Sequence, residues 1–257
     1  MDVGRYMILN GELTEWQHLG GVYVYQHIHT LDYAPYHLPQ HLRIIEQASN
    51  LLFDEPTKYD ECEIRECIKM LLRQAHLSRK VSICITMKLY TSGDTTIEYD
   101  APSIYSGYVL RSLRAEATCL RMDIPLAAYP TSAAEASSEL AEAIARARGY
   151  HTAIVVDGND NIRCSSSAPI AIVNGKTLLI SDSSGPSVER NILEQATRKA
   201  GYTIEYRTLK RSDLATADEV LRMNWQGLTA MQTVNGKPYM DIIAERIAKE
   251  FEIKEGV

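Results

Sequence analysis

The chain has no cluster of basic residues, no apolar run long enough to cross a bilayer and no paired-cysteine motif, and each absence removes a class of function. Lysine and arginine number 27 against 33 aspartates and glutamates, a formal net charge of −6. Nucleic acids and anionic membrane surfaces need concentrated positive charge, so neither is expected as a partner. A spanning helix needs about 20 consecutive apolar residues, and no such stretch occurs. In MDVGRYMILNGEL a short apolar run is broken by Asn10 and Glu12, so the segment does not read as a secretory leader. The five cysteines Cys62, Cys67, Cys84, Cys119 and Cys164 are odd in number and form no C-x-x-C pair. That argues against a disulfide framework or a zinc knuckle, and a reduced, cytoplasmic protein is expected. Repeats and low-complexity tracts are also missing.

What is present reads as an ordinary globular chain. At 257 residues, 45% hydrophobic and 23% charged, it can bury a large core, and two domains are expected. Tyr6 to Leu9 enters a hairpin turn at Asn10-Gly11. Val22 to Thr30 alternates as a strand, with Tyr23, Tyr25, His27 and His29 on one face and Val22, Val24, Gln26 and Ile28 on the other. Helices follow over Pro39 to Phe53 and Tyr59 to Leu77, then strands over Val81 to Tyr90, Ser106 to Leu113 and Glu116 to Met122. This is an α+β domain spanning residues 1–123. Residues 124–132, Pro-interrupted and Ala-rich, form the expected linker.

The second domain, 133–257, opens with a helix from Ala133 to Arg148, with Ser132 as N-cap, Glu135 completing a capping box and Gly149 as the C-terminal stop. A strand over His151 to Val156 and a turn at Asp157-Gly158-Asn159-Asp160 come next. A hairpin from Ile170 to Ile180 then turns at Asn174-Gly175. Ser187 to Ala200 is a helix and Tyr202 to Thr208 a strand. A short helix at Leu209 to Ala215, strands at Glu219 to Arg222 and Leu228 to Val234, and a last helix at Tyr239 to Phe251 complete it.

Several of these patterns, in this order, resemble the class IV aminotransferase family of fold-type IV pyridoxal-phosphate enzymes: branched-chain aminotransferase, D-amino-acid aminotransferase and aminodeoxychorismate lyase. The His41-Leu42-Arg43 helix start is similar to the family's His-Leu-x-x-Arg-Leu, with the arginine closer to the histidine. AIVVDGNDNI after Gly149-Tyr150 looks like its strand-turn-strand, and SSSAPIAIVNGKTLL like its Ser-Ser-Ser hairpin. Pro186 to Arg190 (PSVER) resembles its phosphate loop, and Asn224-Trp225-Gln226-Gly227 its second phosphate-binding turn. The resemblance implies a two-domain fold with a barrel-like second domain, a homodimer and a pocket between the domains. It assigns cofactor binding to Arg43, Ser187, Val188, Glu189, Arg190, Asn224, Trp225 and Gln226. Tyr23, Tyr25, His27, Arg163 and Cys164 are assigned to the pocket.

The same comparison exposes losses. The family's cofactor-bearing lysine falls at Pro130 or Thr131, and no lysine occurs between Lys88 and Lys176. Without an amine there is no Schiff base and no lysine proton shuttle. Its phenol-oxygen tyrosine corresponds to Glu135, its pyridine-nitrogen carboxylate to Arg163, and its phosphate-loop threonine to Glu189. A cation at Arg163 disfavours a pyridinium, and an anion at Glu189 repels phosphate.

The expected protein is therefore a pseudoenzyme that binds a small anionic ligand between its domains, with no covalently bound cofactor, either non-catalytic or acting without one. Two alternatives stand beside it: a working transaminase or lyase using Lys88 or Lys176, and a structural subunit of an active paralogue. Arg163 could also activate Cys164 as a nucleophile. No metal is expected, because His27 and His29 are two ligands without a third.

Overall fold

The computed structural model describes residues 5–54, 56–100, 102–111, 114–165, 168–182 and 185–251. Two units result: one runs through Gly107 and takes back Pro130–Ser132, and the other comprises Tyr108–Tyr129 and the chain from Ala133. The division comes earlier than the 123/124 boundary that composition suggests. The reason is non-local pairing: the strand at Ala115–Arg121 hydrogen-bonds into the second unit's sheet.

In the first unit, β1 (Tyr6–Leu9) and β2 (Glu12–Glu15) form a hairpin whose turn residues, Asn10 at φ 51° and Gly11 at φ 87°, adopt the left-handed conformations such a turn requires. β3 (Tyr23–Leu31) is followed by the short β4 (Ala34–Pro35), helices α1 (Leu38–Phe53) and α2 (Glu61–Gln74), and strands β5 (Ile83–Tyr90) and β6 (Thr95–Tyr99). The sheet order is β2-β1-β6-β5-β3-β4. α1 packs on β3, burying Leu38, Leu42 and Ile45. Gln26, the polar residue among the apolar positions of β3, is explained here: its Oε1 lies 2.8 Å from His41 Nδ1. Burial pushes His41 down to about 3, so the ring is neutral. α2 starts at Glu61, two residues later than expected, because the Asp60 carboxylate accepts from the backbone N–H groups of Cys62 and Glu63.

The second unit contains β7 (Val109–Leu110), β8 (Ala115–Arg121), α3 (Ser132–Ala147, its first residue assigned to the other unit), β9 (Thr152–Val156), β10 (Ile162–Cys164), β11 (Ile170–Asn174) and β12 (Thr177–Ile180). They are followed by α4 (Val188–Lys199), β13 (Thr203–Tyr206), a 3-10 turn at Arg211–Ala215, β14 (Glu219–Asn224), β15 (Gly227–Val234), β16 (Lys237–Pro238) and α5 (Ile242–Ala248). The main sheet path is β10-β9-β8-β15-β14-β11-β12-β13, and β10 returns against β11, a barrel-like closure. β9 is buried along its whole length, which is why TAIVV reads as a continuous apolar run. One cluster gathers Ile154, Val156, Ile172, Val220 and Met231; another packs Ala141 and Ala145 of α3 on Ala153 and Val155.

α3 ends as the sequence indicates, with Gly149 at φ 83° and Tyr150 N donating to Ala145 O. Ser132 is the first residue of the helix rather than its cap, and its Oγ accepts from Tyr23 N. Of the strand expected over Ser106 to Leu113 only Val109–Leu110 pairs; residues 112 and 113 lie outside the described residues. α5 is shorter than expected because Tyr239 N still donates to Gln232 O in the preceding hairpin. Among the described residues, no helix is long and apolar enough to cross a membrane.

Candidate functional site

The turn after β9 is organised by one carboxylate. Asp157 Oδ1 accepts from Asn159 N and Asn161 N, and Oδ2 from Asn161 Nδ2. The guanidinium of Arg163 completes the set, with Nε at 3.0 Å and Nη2 at 2.7 Å from Oδ2. Burial alone would raise the Asp157 pKa, but these hydrogen bonds outweigh it and hold the carboxyl at about 2. The cation expected at Arg163 is thus present and balanced by its own ion pair. Cys164, beside it, packs partly buried against the cluster of Leu120 and Val155. Of the serines that follow, Ser165 is fully buried, while Ser166 and Ser167 lie outside the described residues.

A buried polar relay runs next to that strand. Arg222 of β14 is 7% exposed, and its Nη1 donates to Thr152 Oγ1 at 3.0 Å. The Thr152 hydroxyl donates to Glu142 Oε1 at 2.5 Å, and Ala153 N reaches the same oxygen at 3.1 Å. Ser165 Oγ stands 3.0 Å from Thr152 Oγ1. Burial lowers the Arg222 pKa, the Glu142 charge raises it, and the positive charge of Arg111 lowers it again. Two guanidiniums, from β14 and from the residue after β7, therefore lie within electrostatic reach of each other, with Glu142 as the countercharge.

The start of α4 is closed by the chain's own acidic side chain, Glu189. Ser187 caps the helix, its Oγ accepting from Arg190 N and donating to Glu189 Oε2 at 2.9 Å. Burial raises the Glu189 pKa, and the Ser187 hydroxyl and a backbone N–H pull it back. Val188 is buried, and Arg190 forms an ion pair with Glu194, Nε to Oε1 at 3.4 Å. The turn after β14 is tied by Gln226 N donating to Asn224 Oδ1, with Trp225 half-buried between them.

In the first unit, the segment where the lysine is expected lies along β3. Tyr25 N donates to Pro130 O at 2.8 Å, and Thr131 bridges Val24 and is 1% exposed. Glu135 falls in the first turn of α3. Tyr23, Tyr25 and His27 share a sheet face with Lys88; the tyrosine rings are 6.4 Å apart, and the Tyr25 and His27 rings 5.0 Å. Lys88 Nζ is 3.0 Å from Glu98 Oε1 and 5.2 Å from the centre of the Tyr23 ring. Arg43 is exposed on α1, its Nε donating to Pro39 O. Lys176 is exposed in the β11–β12 turn.

The sequence pattern does not single out Glu142, Thr152, Arg222 or Arg111. The one available signal is Arg222 itself, a charge inside the apolar run VLRM.

The family profile described as amino-transferase class IV matches residues 24–227. The fold is similar to the branched-chain amino acid aminotransferase of Escherichia coli, with a TM-score of 0.80, 19% identity and coverage of 98% of this chain and 97% of that one. It is also similar to the branched-chain aminotransferase of Thermoproteus uzoniensis solved with norvaline (TM-score 0.80, 15% identity, 96% and 93% covered). A hypothetical aminotransferase of Mycobacterium tuberculosis in a PLP-bound form aligns with a TM-score of 0.78 at 13% identity, covering 97% of this chain and 100% of that one. No curated protein sequence matches the chain.

Proposed function

Because the chain belongs to the amino-transferase class IV family yet carries no lysine from residue 89 to residue 175, we propose that it has left Schiff-base chemistry behind and binds a small anion. The observation that carries this reading is the segment Pro130–Ser132: where the amine is expected, a proline carbonyl and a buried threonine are fastened to β3. The residues present do not fit covalently held pyridoxal phosphate. Its phosphate would meet the Glu189 carboxylate at the α4 turn, and its ring nitrogen would face Arg163, already paired to Asp157.

The anion reading rests on the pair Arg222 and Arg111. Arg222 lies opposite Thr229 on β15, and Arg111 N donates to the neighbouring Leu228 O. Sheet register therefore sets the two guanidiniums on either side of β15, with Glu142 balancing part of their charge. Guanidiniums bind carboxylate and phosphate through paired charge-assisted hydrogen bonds. Calorimetric titration with inorganic phosphate tests it. The protein is expected to bind phosphate, and Arg111→Met to weaken binding by about tenfold or more, about 1.4 kcal/mol, with folding checked by thermal melting. No heat and no shift in Tm with phosphate would overturn it.

The rival, a transaminase or lyase using a displaced lysine, has Lys88 as its better candidate because that side chain is largely buried. Against it stands the Glu98 carboxylate at 3.0 Å, which favours the protonated, non-nucleophilic ammonium.

A further inference from the structure

We propose that the first unit carries a site for a borderline divalent cation, zinc above all, built from His27 of β3, Cys84 of β5 and Asp100 just after β6. A ring nitrogen of His27, the Cys84 sulfur and a carboxylate oxygen of Asp100 all lie within 4.8 Å of one another. Strand register brings them together. His29 is opposite Cys84 and His27 opposite Thr86, so His27 and Cys84 are diagonal neighbours on one sheet face. Asp100 N donates to Cys84 O, which fixes Asp100 at the end of the same row.

The sequence pairs His27 with His29, but His29 is engaged elsewhere: its Nε2 lies 3.1 Å from Ser82 Oγ. The other two donors come from far along the chain, Cys84 from β5 and Asp100 from the end of β6, which is why spacing does not reveal them. Thr86 Oγ1 sits 3.0 Å from His27 Nδ1 and 3.4 Å from Asp100 Oδ2, so one hydroxyl holds two of the three donors in place without metal.

The donor set decides the chemistry. Nitrogen, sulfur and oxygen in one trio suit zinc or cobalt(II) rather than magnesium or calcium, which take oxygen alone. Burial lowers the His27 pKa, the direction that favours the neutral ring a ligand presents. Cys84 is buried and Asp100 exposed, so a cation would enter from the Asp100 side, shed the Cys84 thiol proton to solvent and keep its fourth position for water or an external ligand. The Lys88–Glu98 pair on the same face is close to neutral and leaves the trio's charge to balance the metal.

Cobalt(II) chloride added to the chelator-treated, reduced full-length protein tests the assignment, because thiolate coordination gives an intense near-ultraviolet charge-transfer band. One equivalent is expected to produce that band and to be displaced by zinc. Cys84→Ser should abolish the band. Asp100→Asn, at an exposed position that leaves the fold intact, should weaken binding about tenfold or more. The exposed Cys62 supplies the control. A band that survives Cys84→Ser and vanishes in Cys62→Ser overturns the proposal, as does affinity unchanged by Asp100→Asn or the absence of any stoichiometric band.

Discussion

Gly227→Ala is expected to destabilise the second unit by about 3–5 kcal/mol and to remove phosphate binding even under conditions where the protein remains folded. Gly227 stands at φ 120°, a region side chains rarely adopt, and an added Cβ would lie 2.2 Å from Val109 O and 2.7 Å from Val109 N. These are backbone atoms of the paired strand, so no rotamer change relieves them. β7 must move off β15, breaking the parallel pair Gly227–Val109 and the bond from Arg111 N to Leu228 O. Because Arg111 follows directly, the displacement carries one of the two guanidiniums away from the other. Chemical denaturation with phosphate calorimetry at low denaturant checks both parts. A variant within about 0.5 kcal/mol of the parent would show that β7 contributes little.

A comparable loss, about 3–5 kcal/mol, is expected for Glu219→Ala, and its size should depend on pH. Glu219 is 1% exposed in β14, yet its two oxygens accept from Ile243 N at 2.6 Å and Ala244 N at 2.8 Å, capping α5 from another element. Asp241, at the formal cap position, makes no side-chain cap bond, so Glu219 alone takes these amides. Alanine leaves the buried Ala244 N–H and the part-buried Ile243 N–H without their acceptors and opens a void. Burial raises the Glu219 pKa above its ordinary 4.5, the two backbone bonds lower it, and Asp241 and Asp218 raise it again, for a net increase.

A raised folded-state pKa means the native state holds the proton over a range where the unfolded chain has released it. The contribution of Glu219 is therefore full below about pH 4.5 and declines as pH rises through its folded value. Urea melts of parent and variant at several pH values should show the difference between them narrowing with increasing pH. A constant difference would contradict the sign.

Much of the fold was legible because its punctuation is local. Asn10-Gly11, Gly175 and Gly149 mark turns and a helix stop through positive φ, although the turn expected at Asn174-Gly175 falls one residue later, at Gly175-Lys176, because Asn174 still pairs with Thr177. The class IV resemblance added the order of elements, and the family match and the shared fold bear it out. Ownership of β8 was not legible. It pairs in parallel with β15, over a hundred residues later, and nothing in Ala115–Arg121 states its partner.

The candidate site divides along the same line. Ser187 could be placed from its capping position, whereas the convergence of Arg111 with Arg222 depends on sheet register. Tyr23, Tyr25 and His27 were recognisable as one face, but the donors that join His27 there, Cys84 and Asp100, come from strand pairing that no spacing encodes. The strand that delivers Asp100 is β6, which follows the turn tied by Gly93 N donating to Tyr90 O.

The central claim is that no lysine of this chain carries pyridoxal phosphate. Incubation of the full-length protein with the cofactor, reduction with borohydride and mapping of the digested peptides by mass spectrometry tests it most directly. The account predicts no stoichiometric phosphopyridoxyl-lysine and no aldimine absorbance before reduction. A stoichiometric adduct at Lys88 or Lys176 would contradict it and return the protein to the transaminases.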